Sequence, residues 1–193
     1  LGIVEINALD VTRDDESDLL KAGFSIFNAF NPHSTVIPWN RSNGVTSAIS
    51  SPGESSFPIF GLGSHFLLDG NLEIKGSRDI AMFGRLGSSY GSRAETISIL
   101  ESLLDIGAKV STTPVEEILE MSLAEKFELQ SQDIIALGRV VNNSLPFVLE
   151  TNRAVDILQA LALKEKYSLN LVLVSVEEAP MVIDQLQASG ISV

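Results

Sequence analysis

The clearest hydrophobic patterning lies in the last third of the chain. Leu145-Pro-Phe-Val-Leu-Glu-Thr151 and Asn170-Leu-Val-Leu-Val-Ser-Val176 are near-continuous apolar runs of strand length, and Gly190-Ile-Ser-Val193 begins another. Between the first two, Ala154, Ile157, Leu158 and Leu161 fall at i, i+3, i+4 and i+7, the spacing of one helical face. A second helix is predicted from near Pro180 to Gly190. Strands joined by helices in this way run parallel, and right-handed crossovers build either an open doubly wound sheet or a closed barrel. In both, chemistry gathers at the carboxyl ends of strands. That singles out Ser50 and Ser51, Gly84 and Arg85, Glu150 and Thr151, and Glu177 and Glu178.

The middle of the chain reads as helical. Ser92 with Glu95, Thr113 with Glu116 and Ser122 with Glu125 have capping-box spacing, and Pro114 stands where a first helical residue belongs. Ile97, Leu100 and Leu104 share a face of the first of these helices, and Gly107 is placed to end it. Ser131 is expected to cap a further helix that buries Ile134, Ile135 and Val141. Further upstream, Leu1-Gly-Ile-Val-Glu-Ile6 is apolar, and the acidic Thr12 to Asp18 stretch suits the start of a helix running to Ala29, broken at Asn31-Pro32-His33. Arg41-Ser-Asn-Gly44 reads as a turn before a strand at Val45 to Ile49, which empties into the polar loop Ser50 to Ser56. Residues 57–78 are rich in glycine and without clean periodicity, with a turn at Leu67-Leu-Asp-Gly70, and Asp79 to Phe83 is a candidate strand. The abrupt apolar ends predict an excised piece of a larger enzyme-like fold.

Composition narrows the chemistry. The chain has 193 residues, 45% of them hydrophobic, enough for one domain with a substantial core. Thirteen Lys and Arg against 25 Asp and Glu give a formal charge of −12, which repels phosphate backbones and anionic headgroups. Neither nucleic acid nor a membrane surface is therefore expected as a partner. With no cysteine, thiolate nucleophiles and Cys-based metal sites are absent. The two histidines, His33 and His65, form no paired metal motif. Glu150 and Glu177 stand at strand ends in successive units, where a carboxylate can ligate a metal or act as a general base, or else accept helix N-terminal amides. Arg93, in Tyr90-Gly-Ser-Arg93, opens a helix against its dipole and so calls for a partner such as a carboxylate across the site. Gly61-Leu-Gly63-Ser64 is an incomplete phosphate-loop pattern, and a Rossmann-like phosphate binder built on it is the weakest of the readings.

Taken together, Val45 to Gly53, the Leu68-Asp-Gly70 turn, Gly91-Ser-Arg-Ala-Glu95, Arg153-Ala-Val-Asp-Ile157 and Leu171 to Val193 resemble the imidazolonepropionase-like branch of the amidohydrolase superfamily. The resemblance implies an α/β fold: a partial metal-dependent (β/α)8 barrel of parallel strands alternating with helices, residues 1–193 being its central segment, truncated at both ends. It implies hydrolysis of C–N bonds, usually in cyclic amides, by a metal-bound water. A divalent metal, zinc or manganese, is expected in the intact parent and none in this segment, because the family's His-x-His pair and late Asp would lie outside it. Glu150 stands about where active relatives place a metal-binding His, and Ser175-Val-Glu177 where another often occurs. The expected site is thus Glu150 as metal ligand, Glu150 and Glu177 as catalytic groups and Arg93 as a substrate-binding residue. The missing histidines support a rival expectation, a catalytically degenerate paralogue that binds a small molecule or a partner. Exposed apolar edges predict self-association. The absence of cysteine and the signal peptides frequent in this branch tilt the expectation toward an exported protein.

Overall fold

The computed structural model describes residues 19–87 and 91–193. The apolar Leu1–Ile6 segment, the acidic helix start at Thr12–Asp18 and Tyr90 of the Tyr90–Arg93 loop lie outside them. Five strands form one sheet in sequence order: β1 (Ser47–Ser50), β2 (Ile59–Leu67), β3 (Gly76–Arg85), β4 (Phe147–Glu150) and β5 (Leu171–Val174). A short helix α1 (Val36–Ser42) precedes them. Helices α2 (Arg93–Lys109), α3 (Val115–Leu119), α4 (Ser122–Lys126) and α5 (Ser131–Val141) lie between β3 and β4. Helix α6 (Ala154–Tyr167) joins β4 to β5, and α7 (Ile183–Ser189) follows a 3-10 turn.

The sheet is mixed, which corrects the expectation of a barrel of parallel strands alternating with helices. Strands β1, β2 and β3 pair antiparallel, and only β3–β4 and β4–β5 are parallel. The reason lies in the connections. Parallel neighbours need a crossover of about a dozen residues or more, usually helical, whereas residues 51–58 and 68–75 offer only short loops. The glycine-rich stretch that lacked periodicity is the long central strand β2. Gly61 and Gly63 lie inside it, so they form no phosphate loop. Gly61, at φ +127°, lets the Phe24 carbonyl approach within 2.6 Å of where a Cβ would stand, and that carbonyl accepts the Leu62 N–H at 2.7 Å.

Alternation along β4 and β5 sorts the two faces. Phe147, Leu149, Leu171 and Leu173 are buried and join Leu100, Leu103, Leu137 and Ile157 in one core beneath α2, α5 and α6. The opposite face carries Phe83, Arg85, Val148, Glu150 and Val174, which are half-buried or exposed. The predicted third strand appears as a parallel bridge between Ser192 and Val172.

Several local expectations shift. The Ser92 hydroxyl does accept the Glu95 N–H at 3.2 Å. The caps of α3 and α4, however, are Pro114 and Met121, and α5 is capped by Gln130, whose N–H reaches the Asp133 carboxylate at 2.8 Å. Gly107 does not end α2. It sits within the helix, where an added Cβ would meet the Leu137 carbonyl at 2.7 Å, and so lets α2 and α5 touch. Ile135 and Leu158 are exposed instead of buried, because the inward faces of α5 and α6 centre on Ile134, Leu137, Ile157 and Ala160. No helix among the described residues is long and apolar enough to cross a membrane.

Candidate active site

The parallel ladder sets the centre of the site. Arg85 ends β3, Glu150 ends β4, and the two are register partners. Alternation then sends both side chains to the face that the helices leave uncovered. The Arg85 Nη2 donates to the Glu150 carboxylate at 2.9 Å. The same guanidinium donates to both oxygens of Glu54, from the β1–β2 loop, at 2.9 and 2.6 Å. It also lies over the Phe60 ring, 5.7 Å from its centroid. The Glu54 hydrogen bonds, opposed by burial and reinforced by Glu150, hold the Arg85 pKa well above the ordinary arginine range.

Two clefts meet at Glu150. One, of about 400 Å³, is lined by Arg85, Glu150, Thr151, Arg93, Arg153 and Asp156 among others. The other, of about 260 Å³ and more apolar in its residues, runs along the uncovered sheet face past Phe60, Phe83, Val148 and Val174. Arg93, the first residue of α2, finds the carboxylate its position calls for: its Nε donates to Asp156 in the first turn of α6 at 3.1 Å. Asp156 is 3% exposed. Thr151 is buried at the cleft wall, and among the described residues its Oγ1 has no hydrogen-bond partner, as is also true of the Arg85 Nε. Buried polar atoms without a partner are uncommon, and each calls for a partner that the protein atoms do not supply, such as a water or a ligand.

Of the residues predicted for the site, Glu150 and Arg93 line the larger cleft. Glu177 is exposed and lines neither of the two clefts. Its neighbour Glu178 takes the structural role considered for such carboxylates, accepting the Ala154 N–H that opens α6 at 2.8 Å. Arg85 and Thr151 had stood out only as strand-end residues. Glu54 gave no signal, because a glutamate in a polar loop looks like any solvated carboxylate.

A divalent metal does not fit the residues described. Among them there is no group of three or more His, Asp or Glu side chains placed to hold an ion. The Glu150 carboxylate is instead bonded to a guanidinium.

No family model matches the sequence, and no curated protein does. Among solved structures, the crystal structure of an amidohydrolase from Thermotoga maritima MSB8 is similar, with a TM-score of 0.70. The two are 22% identical, and the match covers 91% of this chain and 48% of that one. The chain spans about half the length of that protein. At this identity the likeness is one of fold, and it carries no preference for the imidazolonepropionase-like branch.

Proposed function

We propose that this chain is part of an amidohydrolase-type hydrolase that cleaves C–N bonds in small amide-like molecules, cyclic amides among them, in the cleft beside Arg85 and Glu150. The observation that carries the reading is the Arg85–Glu150 pair at the carboxyl ends of adjacent parallel strands, opening on that cleft. Ligand sites in sheets of this kind gather at such ends, and the fold likeness to an amidohydrolase supports the reaction class.

The residues suggest a division of labour. Glu54 holds Arg85 through two bonds and Glu150 through one. Arg85 therefore keeps a charge partner when Glu150 turns toward the cleft. Glu150 would then take a proton from water as the water oxygen attacks the amide carbon, and a guanidinium would face the oxyanion that forms. Returning the proton to nitrogen as the C–N bond breaks releases an amine and a carboxylic acid. No step passes through a metal.

The same Arg85–Glu150 bond favours a second reading, a degenerate relative that binds without turning over, since a carboxylate oxygen held by a guanidinium is occupied and turned away from an incoming water. The test is a screen of linear and cyclic amides against the chain, with and without added zinc or manganese, following amine release. Turnover of any of them supports the hydrolase. Binding without turnover under both conditions selects the second reading.

A further inference from the structure

We infer that the larger cleft takes a ligand bearing an oxyanion, a carboxylate or phosphate group, and that Arg153 and Arg93 hold it. The inference rests on the reading of this cleft as the substrate site and names the class of molecule that enters it.

Charge is the first observation. The chain carries a formal −12, yet this cleft is lined by three arginines, Arg85, Arg93 and Arg153, against two carboxylates, Glu150 and Asp156. Glu54 on Arg85 and Glu178 at the start of α6 add carboxylates beside that lining, so the positive charge open to an entering anion is that of Arg153 and the outward nitrogens of Arg93. The second is which of those cations remain available. Arg85 is committed to Glu54 and Glu150. Arg93 pairs with Asp156 through Nε alone, which leaves its terminal nitrogens uncommitted among the described residues. Arg153 is exposed and has no hydrogen-bond or ion-pair partner among them. Arginine presents a planar fork that matches carboxylate and phosphate oxygens.

Backbone geometry adds to this. Helices α2, of 17 residues, and α6, of 14, both begin at the cleft wall, with Arg93 and Asp156 in their first turns. Glu178 takes the Ala154 amide, Ser92 takes the Glu95 amide with its hydroxyl and the Thr96 amide with its carbonyl, and the Ile157 amide bonds back to the Arg153 carbonyl, so what the two helices offer the recess is their dipoles. The partial positive ends of both helices thus lie on the same recess as the free guanidinium. Finally, the buried Thr151 Oγ1 is, among the described residues, an unpartnered donor beside the cleft. A volume of about 400 Å³ suits a small molecule. The anion sits at the Arg153 end and the scissile group next to Arg85 and Glu150.

The experiment is calorimetric titration of the chain with inorganic phosphate and with succinate, against sodium chloride at matched ionic strength, repeated for Arg153→Gln and Thr151→Val. Binding by one or both anions, weakened about tenfold in Arg153→Gln, is expected, a factor that one charge-assisted contact accounts for. Arg153 is exposed, so this variant should fold as the parent does. Thr151→Val is expected to weaken binding while leaving the ligand-free melting temperature unchanged or raised. Binding no stronger than chloride, or equal binding by Arg153→Gln, overturns the inference. The readout is independent of turnover: hydrolysis of uncharged amides with no anion binding would sink this inference alone, and anion binding without hydrolysis would sink only the catalytic reading.

Discussion

Arg85 carries two carboxylates of different standing. Glu54 makes the better geometry, a bidentate contact, and contributes most to raising the arginine pKa. Its side chain is 70% exposed, though, against 28% for Glu150, so water screens its pairing more strongly. We therefore expect Glu150→Gln to lower stability by about 1 kcal/mol and Glu54→Gln by about 0.5 kcal/mol. Urea unfolding of the two variants checks the order, and a larger loss at Glu54 would mean that contact geometry outweighs screening. Gly61 is constrained by its backbone instead. Its φ of +127° and the Phe24 carbonyl at 2.6 Å from a would-be Cβ leave no room for a side chain. Gly61→Ala is expected to cost about 3 kcal/mol through strain and displacement of the Phe24 segment. The same denaturation experiment reads it, and a loss below 1 kcal/mol would show that the strand accommodates the methyl group.

Among the elements, the β2–β3 connection at residues 68–75 is held by Asp69, which accepts from the Asn71 N–H at 2.9 Å and from the Lys75 ammonium at 3.0 Å. The Asn71 backbone N–H and then the Lys75 hydrogen bond hold the Asp69 carboxyl down at about 2, from an ordinary 3.8. A carboxyl depressed on folding contributes stability that is fully present above its unfolded pKa and is lost as pH falls through the folded one. The turn should therefore keep its hydrogen bonds at pH 4 and above and release them toward pH 2. Carboxyl NMR titration reports this, and a midpoint near 3.8 for Asp69 would contradict it. Elements with strong local patterning were legible in the sequence: β4, α6, β5, the Ser92 cap of α2 and the stop at Gly190, where φ is +60°. Strand β2 was not, because its glycines serve close backbone approach and remove the side chains that alternation needs. The site was half legible. Strand-end position marked Arg85, Glu150 and Thr151, but their pairing depends on the register of β3 against β4, across 65 residues of sequence.

In the whole molecule, as far as the described residues go, helices cover one face of the sheet and leave the other open. That open face carries Phe83, Val148 and Val174, and edge strand β1 presents Ile49 at 61% exposure. Unpaired edges and open apolar faces favour association with a second copy. Light scattering behind size exclusion is expected to show dimers or larger species at micromolar concentration, and a monodisperse monomer would contradict that. The same open face is where Arg85 and Glu150 emerge, at the cleft built on the ends of two parallel strands where the antiparallel half of the sheet meets the parallel half. The most direct test compares amine release from the best amide of the screen by the parent chain, Glu150→Gln and Glu177→Gln. A loss of at least about a hundredfold in kcat/KM is expected for Glu150→Gln, in the range of a general base. Glu177→Gln should retain the parent rate. Equal rates for the parent and Glu150→Gln would remove Glu150 from the chemistry and with it the proposed active site.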